Sequence, residues 1–423
     1  MEHEVHQVVG PKKKVSPFVF SICMTASLLN GYAIEIFGIT VTPERMIVVP
    51  ALLMVLIVIF YRGALIEPNT SSILVLSWIV WALLACLLSD QKSWALKEWF
   101  GLVGAISFYF IIHQLRIDFL KIFKRDIIDV IGWIYGPFMV FVYLTTFFNV
   151  VEIFESLSFV VRTPDGLRLQ ATFLEPNFFG ALLVPFLLLY LATYRCTAKW
   201  WIIFVGLNMA LLFTLSRSPW AAYLVSLSLY YVLTTRKKLY FGKLLIYVIT
   251  IIFMIVVIII ASIYLSNYFG DDSLINRLHS IKNRFLLFEI ALGNIANNPI
   301  IGNGIFTFSI ISSLDISAAS IQEEGWIANI ILLVFHDTGI IGFLIFSAIF
   351  IVILYKGIKL IQNTSLLSKK YNKIAAALLM GGVSLFITGM TIPIISHAVF
   401  WVFWAIADKY FTNSKDISSS YNC

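Results

Sequence analysis

Long uncharged apolar runs, separated by short basic segments, set the pattern of this chain. The clearest is Lys243 to Leu265, KLLIYVITIIFMIVVIIIASIYL, with no charge after its first residue. A bilayer-spanning helix needs roughly twenty apolar residues, because each backbone N–H and C=O must be paired inside the segment once water is gone. Runs of that kind predict about twelve spans, near 16–39, 46–61, 71–89, 96–115, 127–149, 178–194, 200–215, 219–234, 243–265, 340–361, 374–392 and 394–411. Strands of a β-barrel would read as short alternating segments, and the sequence has none. The predicted fold class is all-α, a polytopic membrane protein in which residues 1–423 form a single integral-membrane domain.

One long stretch departs from this pattern. Residues 266–339, between the ninth and tenth spans, are polar enough to face water and form the predicted large extracytoplasmic loop. Within it Leu274, Leu278, Ile281, Phe285, Phe288 and Leu292 recur at helical spacing, which predicts an amphipathic helix lying on the bundle or the bilayer. Asn298-Pro299 ends that helix, and the PIIGNG turn that follows (Pro299 to Gly304) is flexible enough for a ligand to approach its backbone. A second short helix is predicted from Trp326 to Asp337, stopped by Thr338-Gly339. The tail after Phe411 is polar and reads as unstructured.

Composition agrees with a membrane protein. The chain is 60% hydrophobic and 13% charged, with a mean hydropathy of +0.91, which excludes an ordinary soluble domain. The net charge of +7 comes mostly from basic segments before, between and at the ends of spans, such as those holding Lys12, Lys124, Arg195, Lys237, Lys356 and Lys370. The positive-inside rule puts these segments, and with them both termini, in the cytoplasm. They are topology signals, so nucleic acid is not a predicted partner. No small-residue cleavage site follows the first span, which is therefore expected to remain as a helix. Cys23, Cys86, Cys196 and Cys423 have no metal-ligand spacing and outline no disulfide framework, so no metal site is expected.

Against the charge bias, the outer side keeps Arg162, Arg168, Arg217, Arg277 and Arg284. Snorkelling at the interface, or pairing with Glu152, Glu155 or Glu175, is the plain structural use of any one of them. Several arriving from separate segments point instead to a lipid-linked phosphate or diphosphate, which a guanidinium binds through its planar fork while keeping its charge. Arg168 and Glu175 lie in RLQATFLEPNFFG, before the sixth span. Arg217 sits in the tight turn FTLSRSPW, and Arg277 and Arg284 are seven apart on one helix face. His336 stands beside Asp337 at the expected outer surface, as a base oriented by a carboxylate would, with Asn329 seven residues earlier on the same face. His279 falls between apolar positions, while His113 and His397 sit at span ends without such neighbours.

The order Arg-x-x-x-x-Phe-x-Glu-Pro-Asn, Ser-Arg-Ser, Arg…Pro-x-x-Gly-x-Gly, then Asn…Asp-Thr-Gly-Ile-Ile-Gly runs from Arg168 to Gly342. It resembles the O-antigen ligase and polymerase superfamily, integral-membrane glycosyltransferases of the GT-C type. That resemblance implies transfer of an undecaprenyl-diphosphate-linked oligosaccharide to an acceptor glycan at the bacterial cytoplasmic (inner) membrane, with no metal, cofactor or nucleotide sugar. Arg168, Arg217 and Arg284 would hold the donor diphosphate, with Arg277 beside them and Glu175 and Asn329 on the rest of the substrate. A chain-length regulator and a flippase are the implied protein partners. The lipid-A-core ligases place a His immediately before the Asn of the second loop helix, where this chain has Ala328. Glu323, Glu324 and Asp337 remain as candidate bases, and a polymerase is favoured over a ligase. A transporter of lipid-linked glycans would carry ionisable residues inside its spans, and only Glu35 and Glu98 come near, both at span ends.

Overall fold

The structure, a computed structural model, describes residues 34–36, 39–41, 69–114, 125–148, 159–163, 166–173, 175–193, 197–234, 272–314, 327, 329–362 and 369–420. In chain order the elements are β1 (Ile34–Ile36), β2 (Ile39–Val41), α1 (Thr70–Leu88), α2 (Lys92–Gln114), α3 (Arg125–Trp133), a π-helical turn (Ile134–Phe138) and α4 (Met139–Phe147). Then come β3 (Val160–Thr163), β4 (Gly166–Leu169), α5 (Pro176–Ala192), α6 (Ala198–Phe213), α7 (Arg217–Thr234), α8 (Asp272–Asn297) and α9 (Phe308–Leu314). The chain closes with α10 (Ile330–Gln362), α11 (Lys369–Gly389), a 3-10 turn (Ile394–Ser396) and α12 (Ala398–Ser420).

Among the described residues, five helical stretches are long and apolar enough to cross a membrane: α1, α2, the α3–α4 unit, α10 and α11. The protein is a multi-pass membrane protein. Its α1 shows why a span can be apolar all round. Val75, Trp78, Ala82 and Cys86 are buried on one side, while Ile73, Leu76, Val80, Leu84 and Leu87 stay exposed at helical spacing on the other. An outward stripe of that kind needs lipid as its solvent.

The most enclosed of the five is α11, which packs against α5 and α7 on one side and α12 on another. Small residues make this possible, since apolar side chains gain little by leaving lipid and close backbone approach supplies the attraction. Ala375, Ala376 and Ala377 are fully buried, and a Cβ on Gly381 would meet the Phe403 ring at 2.5 Å and Pro185 at 2.9 Å. Pro137 is accommodated similarly: it interrupts α3–α4 as a π-helical turn and fits over Gly206, where a Cβ would lie 2.6 Å from its ring.

Three expectations need correction. The end of the span expected at 16–39 is a short antiparallel pairing of β1 with β2, and a second hairpin joins β3 to β4, so the described fold is mostly rather than wholly helical. The tail after Phe411 continues α12 to Ser420, because no Gly or Pro interrupts it. The stripe foreseen for α8, on the bundle or the bilayer, turns its described end outward and leaves the bundle face to other residues. Phe285 and Leu292 are 69% and 56% exposed, whereas Leu287, Ala291 and Ile295 are buried. Helix α8 is apolar on two sides: one packs on α10, and the other, with Phe285 and Leu292, is exposed. The spans expected at 46–61 and 243–265 lie outside the described residues.

At the end of the bundle where α1 begins, a buried polar knot joins four helices. Asp408 on α12, fully buried, accepts hydrogen bonds at Oδ2 from Asn69 Nδ2 (3.0 Å), Ser71 Oγ (2.6 Å) and Tyr109 OH (2.8 Å). His113 Nε2 lies 3.1 Å from the same oxygen, and Lys356 Nζ on α10 donates to Oδ1 at 2.8 Å. Removing one partner of such a pair strands a charge away from water, at a cost of about 3–5 kcal/mol. Asp408→Ala is expected to lower the thermal unfolding midpoint of the purified chain in detergent sharply; an unchanged midpoint would contradict this knot.

Candidate functional site

The β3–β4 hairpin pairs Arg168 with Val161 and Arg162 with Leu167. Side chains alternate along a strand, so the two arginines leave opposite faces of the hairpin. Arg162 is exposed, and Arg168 is half-buried. Tyr143 OH, from α4, donates to Leu167 O at 3.1 Å and anchors the hairpin to the bundle. Arg168 then reaches two neighbouring segments. Its Nε donates to Thr214 O at 3.0 Å, and its Nη2 donates to Asn177 Oδ1 at 2.9 Å. Ser216 Oγ donates to the same Asn177 oxygen at 2.6 Å.

One side-chain amide thus gathers β4, the first turn of α5 and the turn before α7. The starts of α5 and α7 are adjacent, since a Cβ on Gly180 would lie 2.8 Å from Pro219 Cγ. Two helix N-termini side by side carry the partial positive ends of two dipoles. Arg217, the first residue of α7, is exposed at that same place. Electrostatically the corner suits an anion.

The second part of the site is a clasp between the PIIGNG turn and α10. Asn303 N donates to His336 O (2.9 Å), Gly304 N to Asp337 O (3.0 Å) and Ile340 N to Pro299 O (2.9 Å). Phe306 N donates to Asp337 Oδ2 at 2.9 Å, while His336 Nδ1 lies 2.8 Å from Asp337 Oδ1. Gly302 and Gly339 have φ of 89° and 62°, and a Cβ on Gly302 would sit 2.5 Å from Gly339 N. The glycines are used for backbone against backbone, so the turn is filled by the chain itself and not by a ligand. Trp81 Nε1 donates to Thr338 O (2.8 Å) and Trp94 Nε1 to Phe306 O (3.1 Å), fastening the clasp to α1 and α2.

This geometry changes what several sequence candidates are able to do. His336 and Asp337 are 0% and 1% exposed rather than at the surface, and the carboxylate is committed to Phe306 N–H and the imidazole. Their adjacency was legible, but not the turn that folds over them. Asn329 Oδ1 accepts from Ile331 N (3.0 Å) and Leu332 N (3.1 Å), so it caps α10, which begins at Ile330 and not at Trp326. Arg284 is half-buried and shares the spacing of Leu287, Ala291 and Ile295, which sets it on the side of α8 that meets the bundle. Arg277 lies on the same helix, and its side chain is outside the described residues. So are Glu323, Glu324 and Ala328. Glu175 is half-buried immediately before α5.

Arg168, Asn177, Ser216 and Arg217 are therefore brought to one corner, and Arg284 belongs to a separate wall joined to it through other helices. The path is short: α8 packs on α10, Ile330 of α10 lies 3.3 Å from a Cβ placed on Gly389, and Thr391 Oγ1 donates to Ser218 Oγ at 2.6 Å. Asn177, Thr214 and Ser216 were inside recognised motifs but not singled out; Asn177 and Ser216 are polar side chains at the starts of α5 and α7, while Thr214 contributes a backbone oxygen at the end of α6, which no side-chain pattern marks. Among the described residues, three non-glycine positions have left-handed φ: Ala171 (51°), Leu215 (49°) and Phe306 (51°). All three fall in the segments that build this region, where strain of about 1–3 kcal/mol each is retained only if the surroundings enforce it. No three His, Cys, Asp or Glu side chains come together as metal ligands among the described residues.

Residues 201–347 match a family model described as O-antigen ligase. The match covers α6, α7, α8, α9 and the first half of α10, and it supports the O-antigen ligase/polymerase superfamily with a function of that general type. A search of curated proteins finds no match.

The clasp makes a sharp demand at Gly339, where any Cβ would overlap the Ile300 carbonyl and φ is left-handed. Gly339→Ala is expected to lose at least about 1–3 kcal/mol of stability from backbone strain, before the overlap is counted. Thermal unfolding in detergent measures it, and a midpoint equal to that of the unaltered chain would contradict the clasp.

Proposed function

We infer that this chain, related through residues 201–347 to the O-antigen ligase/polymerase superfamily, is a polysaccharide polymerase acting on the outer face of the bacterial cytoplasmic membrane. It moves a glycan from undecaprenyl diphosphate to the acceptor sugar of another lipid-linked repeat unit. The observation that carries this reading is the Arg168 guanidinium, held by Thr214 O and Asn177 Oδ1 beside two helix N-termini and Arg217. Negative charge builds on the diphosphate as its bond to the sugar breaks, and fixed cations lower the barrier most where charge develops.

Arg168 and Arg217 take the diphosphate in the corner. Arg284 approaches from the bundle side of α8, with Arg277 seven residues earlier on that helix. Glu175 and Asn329 flank the saccharide; since Asn329 Oδ1 caps α10, its amide N–H is the group left to donate. His336 and Asp337 hold the clasp and so position α8 and α10, rather than touching substrate. Glu324 stays a candidate base from sequence. Direct attack by an acceptor hydroxyl inverts the anomeric centre.

The family description favours a second reading, a ligase that transfers finished polymer to a surface acceptor. Ala328, standing where the ligases are expected to carry His, weighs against it. Deletion of the gene separates the two: a polymerase leaves single repeat units, whereas a ligase leaves long polymer that is unattached. In a polymerase, Arg217→Ala and Arg284→Ala each leave the protein in the membrane and abolish long polymer, read as chain length on a gel. Normal chain lengths in both variants would overturn the assignment.

A further inference from the structure

A hydroxyl attacking an anomeric carbon gains from a proton acceptor at the site, yet His336 and Asp337 are sealed in the clasp. The turn between α11 and α12 touches both helices that begin at the arginine corner, α7 and α5. At its start, Thr391 Oγ1 donates to Ser218 Oγ, next to Arg217. At its end, the His397 ring packs on Phe178, with centroids 4.1 Å apart, and Phe178 follows Asn177. His397 is half-buried, unlike His336, and its backbone is fixed from both sides. His397 N donates to Ile394 O (3.1 Å), Phe400 N donates to His397 O (3.1 Å), and Trp401 Nε1 donates to Ile395 O (2.8 Å). An imidazole is thus held, in a half-buried residue, against the side chain that follows Asn177 in α5.

We propose that His397 is the general base of the transfer reaction, a role that rests on the polymerase reading above. The acceptor hydroxyl oxygen forms a bond to the anomeric carbon of the donor sugar. The bond from that carbon to the diphosphate oxygen breaks, and its electron pair leaves with the lipid diphosphate toward Arg168 and Arg217. The hydroxyl proton passes to the His397 imidazole, which then releases it to solvent. Being at a span end without charged sequence neighbours made this residue look uninformative; its partner, Phe178, is brought to it by the packing of α5 against α11.

The test uses the full-length chain in lipid nanodiscs. Transfer is assayed with lipid-linked glycan extracted from a strain lacking the gene, and affinity for undecaprenyl diphosphate is measured separately. His397→Phe keeps a ring against Phe178 without a basic nitrogen, and His397→Gln removes the ring. The expected result is near-normal diphosphate affinity in at least one variant, with its transfer reduced by about 10²–10⁴-fold, the usual weight of a general base. A smaller loss of transfer, or a loss of affinity in both variants, overturns the role. So does Glu175→Gln giving the larger loss while His397→Phe retains transfer. Failure of the polymerase reading itself shows separately, as unchanged affinity and transfer in Arg217→Ala.

Discussion

The single oxygen of the Asn177 side chain, accepting from both Arg168 and Ser216, is the contact on which the candidate site depends. Through it the start of α5 is tied to Arg168 of β4 and to Ser216 of the turn before α7. Arginine is a long side chain whose placement is entropically costly, so a guanidinium that must meet an anion gains from being oriented in advance. Here the orientation comes from one carbonyl and one amide, each belonging to the start or end of a helix. The charge is positioned by neutral groups as well as by whatever ligand arrives.

Packing in the bundle serves that corner. In lipid, helices gain little from burying one another's apolar side chains, so they approach through small residues and buried polar contacts. Gly180 against Pro219 and Gly381 against Pro185 bring α5, α7 and α11 into register. The polar knot at Asp408 does the same for α1, α2, α10 and α12. Between these, the clasp of Pro299–Gly304 on His336–Ile340 fixes α8 relative to α10, and with it the wall that carries Arg284. Polar groups outside the proposed donor corner thereby help to set where its arginines stand.

Much of this was legible in the sequence where one physical rule dominates. Length and apolarity located α1, α2, α10 and α11, because a bilayer leaves the backbone few alternatives. Thr338-Gly339 was recognised as a stop, and Gly339 is non-helical, although the helix resumes immediately as the next span. The residues that misled did so through their third dimension. Phe285 and Leu292 fit a helical stripe yet face outward, since in a membrane protein an apolar position has two possible homes. His336 and Asp337 looked like a surface dyad because the turn that covers them is thirty-odd residues earlier in the chain. His397 looked isolated because Phe178 is more than two hundred residues away. Spacing along one element reads a face; it does not read what that face meets.

The most direct measurement is a cryo-electron microscopy structure of the full chain in a nanodisc containing undecaprenyl diphosphate. Density for the diphosphate between Arg168 and Arg217, at the paired starts of α5 and α7, is the expected result. A diphosphate bound elsewhere, with Arg168 making no contact to it, would contradict the assignment of this corner as the donor site.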